Sequence, residues 1–115
     1  MTSVIEQLRK NLTPDAFYTN DVTRLVEVAK ASGAEVVLVV PPVPLATWKR
    51  YDVDLAALRQ GQQVLYDVAA REGVRVVDFT DRGYDEESFA DIVHMNDRGA
   101  ERFSRELALE LGSGR

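Results

Sequence analysis

The sequence contains no cysteine and only one histidine. Without thiols there is no disulfide framework and no thiolate metal site, so cysteine usage leaves the redox compartment open. Long apolar runs are also missing. The longest, residues 36–44, is less than half of the roughly 20 residues a membrane-spanning helix needs. No basic-then-apolar leader opens the chain, so the expectation is a soluble protein without signal peptide or transmembrane segment. Positive charge is in deficit, with 14 Lys and Arg against 19 Asp and Glu and a net charge of −5. The basic residues are scattered rather than gathered into a stripe, which argues against a nucleic-acid partner. No glycine-rich phosphate loop follows either strand-like segment, so a nucleotide-binding Rossmann piece is not expected. Nothing implies a cofactor.

What is present is a globular balance: 45% of the residues are apolar and 29% charged. That composition argues against long disorder. The 115 residues give room for a single domain over 1–115, able to bury roughly two-thirds of its unfolded surface. No repeat, low-complexity tract or linker interrupts it.

The apolar spacing of Val4-Ile5-Glu6-Gln7-Leu8 predicts a short helix ending before Pro14. A loop holding Phe17 and Tyr18 follows. Asn20 or Asp21 is placed to cap a second helix, with Val22, Leu25, Val26 and Ala29 as its apolar stripe and Gly33 as its stop. Glu35-Val36-Val37-Leu38-Val39-Val40 is β-branched and apolar without alternation, the pattern of a strand covered on both faces in a parallel sheet. Pro41-Pro42-Val43-Pro44 ends it, because proline cannot donate to the ladder. A loop with Trp48, Lys49, Arg50 and Tyr51 leads to a helix over about residues 54–72, buried through Leu55, Leu58, Leu65, Val68 and Ala69 and stopped by Gly73.

The second strand is Val74-Arg75-Val76-Val77-Asp78-Phe79. A polar, acidic loop over residues 80–91 follows, with room for one helical turn. Asn96 or Asp97 then caps a last helix facing inward through Ala100, Phe103 and Leu107, and Gly112-Ser113-Gly114 frays its end. The fold class is therefore α/β, a parallel βαβ core with flanking helices and a right-handed crossover. Two strands are few. They leave two ladder edges unmet, and so small a sheet is marginal by itself.

In open parallel sheets reactive groups gather beyond the carboxyl ends of the strands. The turn Asp91-Ile92-Val93-His94-Met95-Asn96 falls there and holds the only histidine. Imidazole takes and returns a proton near neutral pH, and a carboxylate three residues earlier can hold its tautomer and stabilise the imidazolium. Taken alone, the same spacing also describes a surface Asp and His near a helix start. Asp81, Asp85, Glu86 and Glu87 match no calcium loop and read as a solvated acidic face.

The second strand, the block Phe89-Ala90-Asp91-Ile92-Val93-His94-Met95-Asn96-Asp97-Arg98-Gly99-Ala100 and the amphipathic last helix together resemble the terminal block of SGNH/GDSL-type hydrolases. Residues 36–42 look like the penultimate strand of that fold with its proline-rich turn, and the likeness runs over about residues 20–111. The resemblance implies a flavodoxin-like three-layer domain, here truncated to its C-terminal half. It also implies that His94 is the general base and Asp91 its orienting partner. The subgroup it looks closest to includes sugar O-acetylation and teichoic-acid D-alanylation proteins, which implies an acyl-ester or acylated-sugar ligand.

The family's Gly-Asp-Ser nucleophile block is absent here, as are the Gly and Gly-x-Asn-Asp blocks of its oxyanion hole. Thr19-Asn20-Asp21 mimics the last in letters but reads as a helix cap. Ser3 has no strand before it, Ser88 lies in the acidic loop, and Ser32 and Ser104 read as exposed helix positions. The expectation is thus a serine esterase or acyltransferase part whose nucleophile lies outside this chain, or a non-catalytic binding or assembly module. Trp48 and Tyr51 could line a substrate pocket with Asn96, or Trp48 to Tyr51 could form a partner interface. The unmet strand edge implies a partner chain, most simply a homodimer.

Overall fold

The computed structural model describes residues 16–113. The helix expected at residues 4–8 and Ser3 lie outside the described residues. The elements are α1 (Ala16–Ala31), β1 (Val37–Val40), α2 (Leu45–Arg50), α3 (Leu55–Glu72), β2 (Arg75–Asp78), a 3-10 turn (Glu86–Ser88) and α4 (Asp97–Ser113). β1 and β2 pair as a small parallel sheet, so the α/β expectation holds for the described residues. The chain gathers into two compact units, one built from residues up to Val40 with 54–77, the other from 41–53 with 78 onward.

In the first unit α1 packs on α3. Asp54 starts α3, its Oδ1 accepting from the backbone N–H groups of Ala56 and Ala57 at 3.0 and 3.2 Å. This meets two of the donors a helix start leaves open. Gly73 ends α3 at φ +66°, a left-handed value that costs glycine nothing. The buried side chains of the two helices are Val26 on α1 and Leu58, Val68 and Ala69 on α3. The Arg71 guanidinium donates to Thr23 Oγ1 at 2.8 Å, and Lys30 Nζ donates to the Glu72 carbonyl.

Two expectations for α1 are corrected. The helix already runs at Ala16, so Asn20 and Asp21 lie inside it and cap nothing. No Gly or Pro stands between residues 16 and 21 to stop the helix extending that way. Leu25 is 70% exposed, because the buried line runs through Val22, Val26 and Ala29 at helical spacing and leaves Leu25 beside it. β1 is also shorter than its apolar run, opening at Val37, and its first three residues are only partly buried.

The second unit replaces an expected loop with helix α2. Pro44 precedes it at φ −81°, close to its locked value, and Leu45, Ala46, Lys49 and Arg50 are good helix formers. The unit's buried side chains include Trp48, Phe79, Tyr84, Phe89 and Ile92. Phe79 meets Phe103 of α4 edge to face at 5.0 Å. Tyr84 donates from its hydroxyl to Glu106 at 2.8 Å while Arg102 lies 3.9 Å over its ring. Burial first, and then the Glu106 carboxylate, push the Tyr84 phenol up to about 12. Ala100 is exposed rather than buried, so α4 turns inward through Phe103 and Leu107.

Candidate functional site

Phe89 and Met95 form an antiparallel bridge that closes a small loop. The Ala90 N–H donates to the His94 carbonyl at 2.7 Å, and the Asn96 N–H donates to the Ser88 carbonyl at 3.0 Å. Asp91 and His94 sit at the tip of that loop.

Asp91 holds the tip together. Its Oδ1 accepts from the backbone N–H groups of Val93 at 2.8 Å and His94 at 2.7 Å. Its Oδ2 lies 2.8 Å from His94 Nδ1. The two amides and then the imidazole draw the Asp91 carboxyl down to about 2, so it is ionised throughout the working pH range. With the carboxylate as acceptor, Nδ1 carries the proton and Nε2 the lone pair. The His94 side chain is 77% exposed, and Nε2 has no hydrogen-bond partner among the described residues.

Asn96 carries the loop into α4. Its Oδ1 accepts from the Gly99 N–H at 2.9 Å, capping the helix, while its Nδ2 donates to the Glu87 carbonyl at 2.8 Å. Gly99 is required for a separate reason. A Cβ there would lie 2.0 Å from the Ser88 carbonyl oxygen, so the start of α4 presses onto the loop backbone. The Asn-x-x-Gly pair is therefore one mechanical joint.

The other expected site residues fall in different settings. Asn96 has both ends of its amide engaged in the joint. Trp48 is 2% exposed, and its Nε1 donates to the Ile92 carbonyl at 2.6 Å, beneath the dyad loop. Tyr51 closes α2 and is 39% exposed. Ser88 is buried at 5%, Ser32 and Ser104 are exposed, and Asn20 and Asp21 sit mid-helix.

Of the acidic residues, Asp85 caps the 3-10 turn, Glu86 accepts from Thr47 and Arg50, and Glu87 pairs with Arg98 at 3.1 Å. Among the described residues no cluster of His, Asp or Glu could hold a metal ion, and no helix is long and apolar enough to cross a membrane. The unit has a cavity of about 320 Å³ whose lining includes Ser88, Arg98, Glu101, Arg102 and Arg105 but not the dyad. Its charges are paired internally, Arg98 with Glu87 and Arg105 with Glu101, so it carries no strong net field.

The chain is one of the SGNH-type proteins. Within that class, the family model described as DltD protein matches residues 9–108, most of the chain. The chain belongs to that family, the SGNH-type proteins of teichoic-acid D-alanylation. No curated protein and no solved structure matches it.

Proposed function

We propose that this chain supplies the Asp-His pair of an SGNH-type acyl-transfer site, with the serine nucleophile coming from sequence outside it. The observation that carries the reading is the double use of one carboxylate, Oδ1 on the turn and Oδ2 on the imidazole. His94 then offers Nε2 as a base. It takes the proton of a serine hydroxyl as that oxygen adds to an acyl carbonyl, and gives it to the alcohol that leaves. A second alcohol, or water, repeats the exchange on the acyl-serine and restores the serine. Asp91 stays ionised and stabilises the imidazolium between steps.

Family membership directs the choice of substrate toward acyl esters of cell-envelope polymers, with D-alanyl esters of teichoic acid first among them. In this reading Tyr51 faces the acyl or sugar portion. The βαβ centre is part of a flavodoxin-like three-layer sheet whose further strands come from outside the chain, and β1 meets them through its free edge.

The test combines this chain with a polypeptide carrying a Gly-Asp-Ser block encoded beside it and follows hydrolysis of D-alanyl and short-chain aryl esters. Turnover is expected to need both components and to fall by about 10²–10⁴ in His94→Gln. Turnover indifferent to that change removes the reading.

One observation favours a second reading, a non-catalytic binding or assembly module. Among the described residues the only side-chain hydrogen bond of His94 is to Asp91, with no hydroxyl in reach. Under that reading, binding to the partner polypeptide survives His94→Gln and no ester turnover ever accompanies it.

A further inference from the structure

Thr47 and Trp48 are neighbours on α2, yet they hold opposite ends of one loop. Thr47 Oγ1 donates to Glu86 Oε1 at 2.9 Å, where Arg50 joins it. Trp48 Nε1 donates to the Ile92 carbonyl at 2.6 Å. Both side chains are buried, at 7% and 2%. Glu86 opens the 3-10 turn that leads into the bridge, and Ile92 lies inside the dyad turn itself.

The second contact falls on a sensitive bond. The Ile92 carbonyl and the Val93 N–H belong to one planar trans peptide unit and point in opposite directions. Trp48 holds the carbonyl end, and Asp91 Oδ1 holds the N–H end at 2.8 Å. Rotation of that plane breaks both bonds together. The carboxylate so fixed is the one that orients His94 through Oδ2. An indole is a donor with one fixed direction and no acceptor capacity, so it selects a carbonyl at that spot.

We propose that Trp48 is a positioning residue of the dyad: its indole N–H locks the Ile92–Val93 peptide plane, and through it the Asp91 carboxylate and the His94 imidazole. Thr47 and Glu86 hold the loop's other end, which makes α2 a clamp on the dyad loop. The use made of His94 rests on the acyl-chemistry reading, but the clamp is testable without any substrate.

The chain has one Trp and one His, so each is altered or read without interference. Replacing Trp48 by benzothienylalanine keeps the ring shape and deletes the N–H. The readouts are the ring-nitrogen NMR signals of His94 and amide exchange at Val93 and His94. Expected are a loss of the single Nδ1-protonated tautomer signature and exchange at the two amides faster on the order of tenfold. Thr47→Val leaves the indole in place and is expected to move the same signals less. A purely structural role for Trp48 lowers melting temperature and leaves the imidazole signals where they were. Unchanged His94 signals in the benzothienylalanine variant therefore overturn the proposal. An inert His94 in ester assays leaves the clamp standing, and unmoved imidazole signals leave the acyl-chemistry reading standing.

Discussion

Asp91 meets His94 twice, through the backbone N–H to Oδ1 at 2.7 Å and through Nδ1 to Oδ2 at 2.8 Å. The same side chain therefore shapes the turn and chooses the tautomer. Asp91→Asn separates the two tasks. The amide oxygen can still accept from the turn, while the amide nitrogen presents hydrogens to Nδ1 and moves the ring proton to Nε2. The expected outcome is a folded chain with an inverted His94 tautomer, read by ring-nitrogen NMR. With a serine partner present, kcat is expected to fall by about 10⁴. An unchanged tautomer in Asp91→Asn contradicts the orienting role.

The acid limit of the turn follows from the same bonds. The folded-state pKa of Asp91 lies at about 2, below its ordinary value of 3.8. A depressed carboxylate contributes its stabilisation in full above the unfolded value and loses it as pH falls through the folded one. The hydrogen-bond protection of the Val93 and His94 amides is therefore expected to hold down to about pH 4 and to be lost together between there and about pH 2. Loss of that protection above about pH 4, with Asp91 still ionised, contradicts this account of the turn.

Gly99→Ala tests the joint beneath the dyad. The added Cβ would sit 2.0 Å from a backbone oxygen, so the loop or the start of α4 has to shift. The expected loss is about 1–3 kcal/mol, seen as a lower melting temperature by calorimetry. The His94 signals are expected to move as well, because Ser88 and Asn96 share the bridge. A variant as stable as the parent contradicts the close approach.

What could be read from the sequence was local. Asp91 with His94, Asn96 at the start of α4 and Gly73 at the end of α3 all act within three or four residues of a partner, so local pattern exposes them. The parallel pair showed in unalternating valines. Trp48 and Ile92 are 44 residues apart, and Thr47 and Glu86 are 39 apart, so no local pattern marks either contact. A tryptophan after a proline turn is as suited to a pocket as to a core; only its buried N–H on a carbonyl decides its setting. The false cap at Asn20 and Asp21 has the opposite cause: cap residues are tolerated inside a helix when nothing upstream breaks it.

Alone, the chain is expected to hydrolyse short-chain aryl esters slowly or not at all. A base without a nucleophile and oxyanion donors lacks most of the machinery, and one such donor is worth roughly 10²–10³ in rate. Ser88 is poorly placed for a nucleophile: it is buried at 5% and its backbone serves the bridge. Ser3→Ala and Ser88→Ala are thus expected to change nothing in a spectrophotometric assay. Strong turnover lost in either variant, with folding intact, identifies a nucleophile within the chain.

The last prediction concerns assembly and follows from the strands. Val37, Leu38 and Val39 are only partly buried, although each such side chain contributes about 1.5–3 kcal/mol when burial is complete. Among the described residues β1 pairs with β2 alone, which leaves one edge of its ladder without a strand. Exposed edges of this kind are templates for another strand. β1 is the expected pairing edge rather than β2, because the SGNH sheet that the chain resembles continues inward from that side. The simplest completion is a second copy adding its own β1 across a two-fold axis, which extends the sheet to four strands and covers the half-open valines. Light scattering of the pure protein at micromolar concentration is expected to give twice the mass of the chain. Amide exchange at Val37, Leu38 and Val39 is expected to slow as concentration rises, because the added strand protects the edge. A stable, cooperatively folding monomer whose β1 amides exchange at the same rate at every concentration would sink the idea, and with it the inference that the sheet is completed from outside.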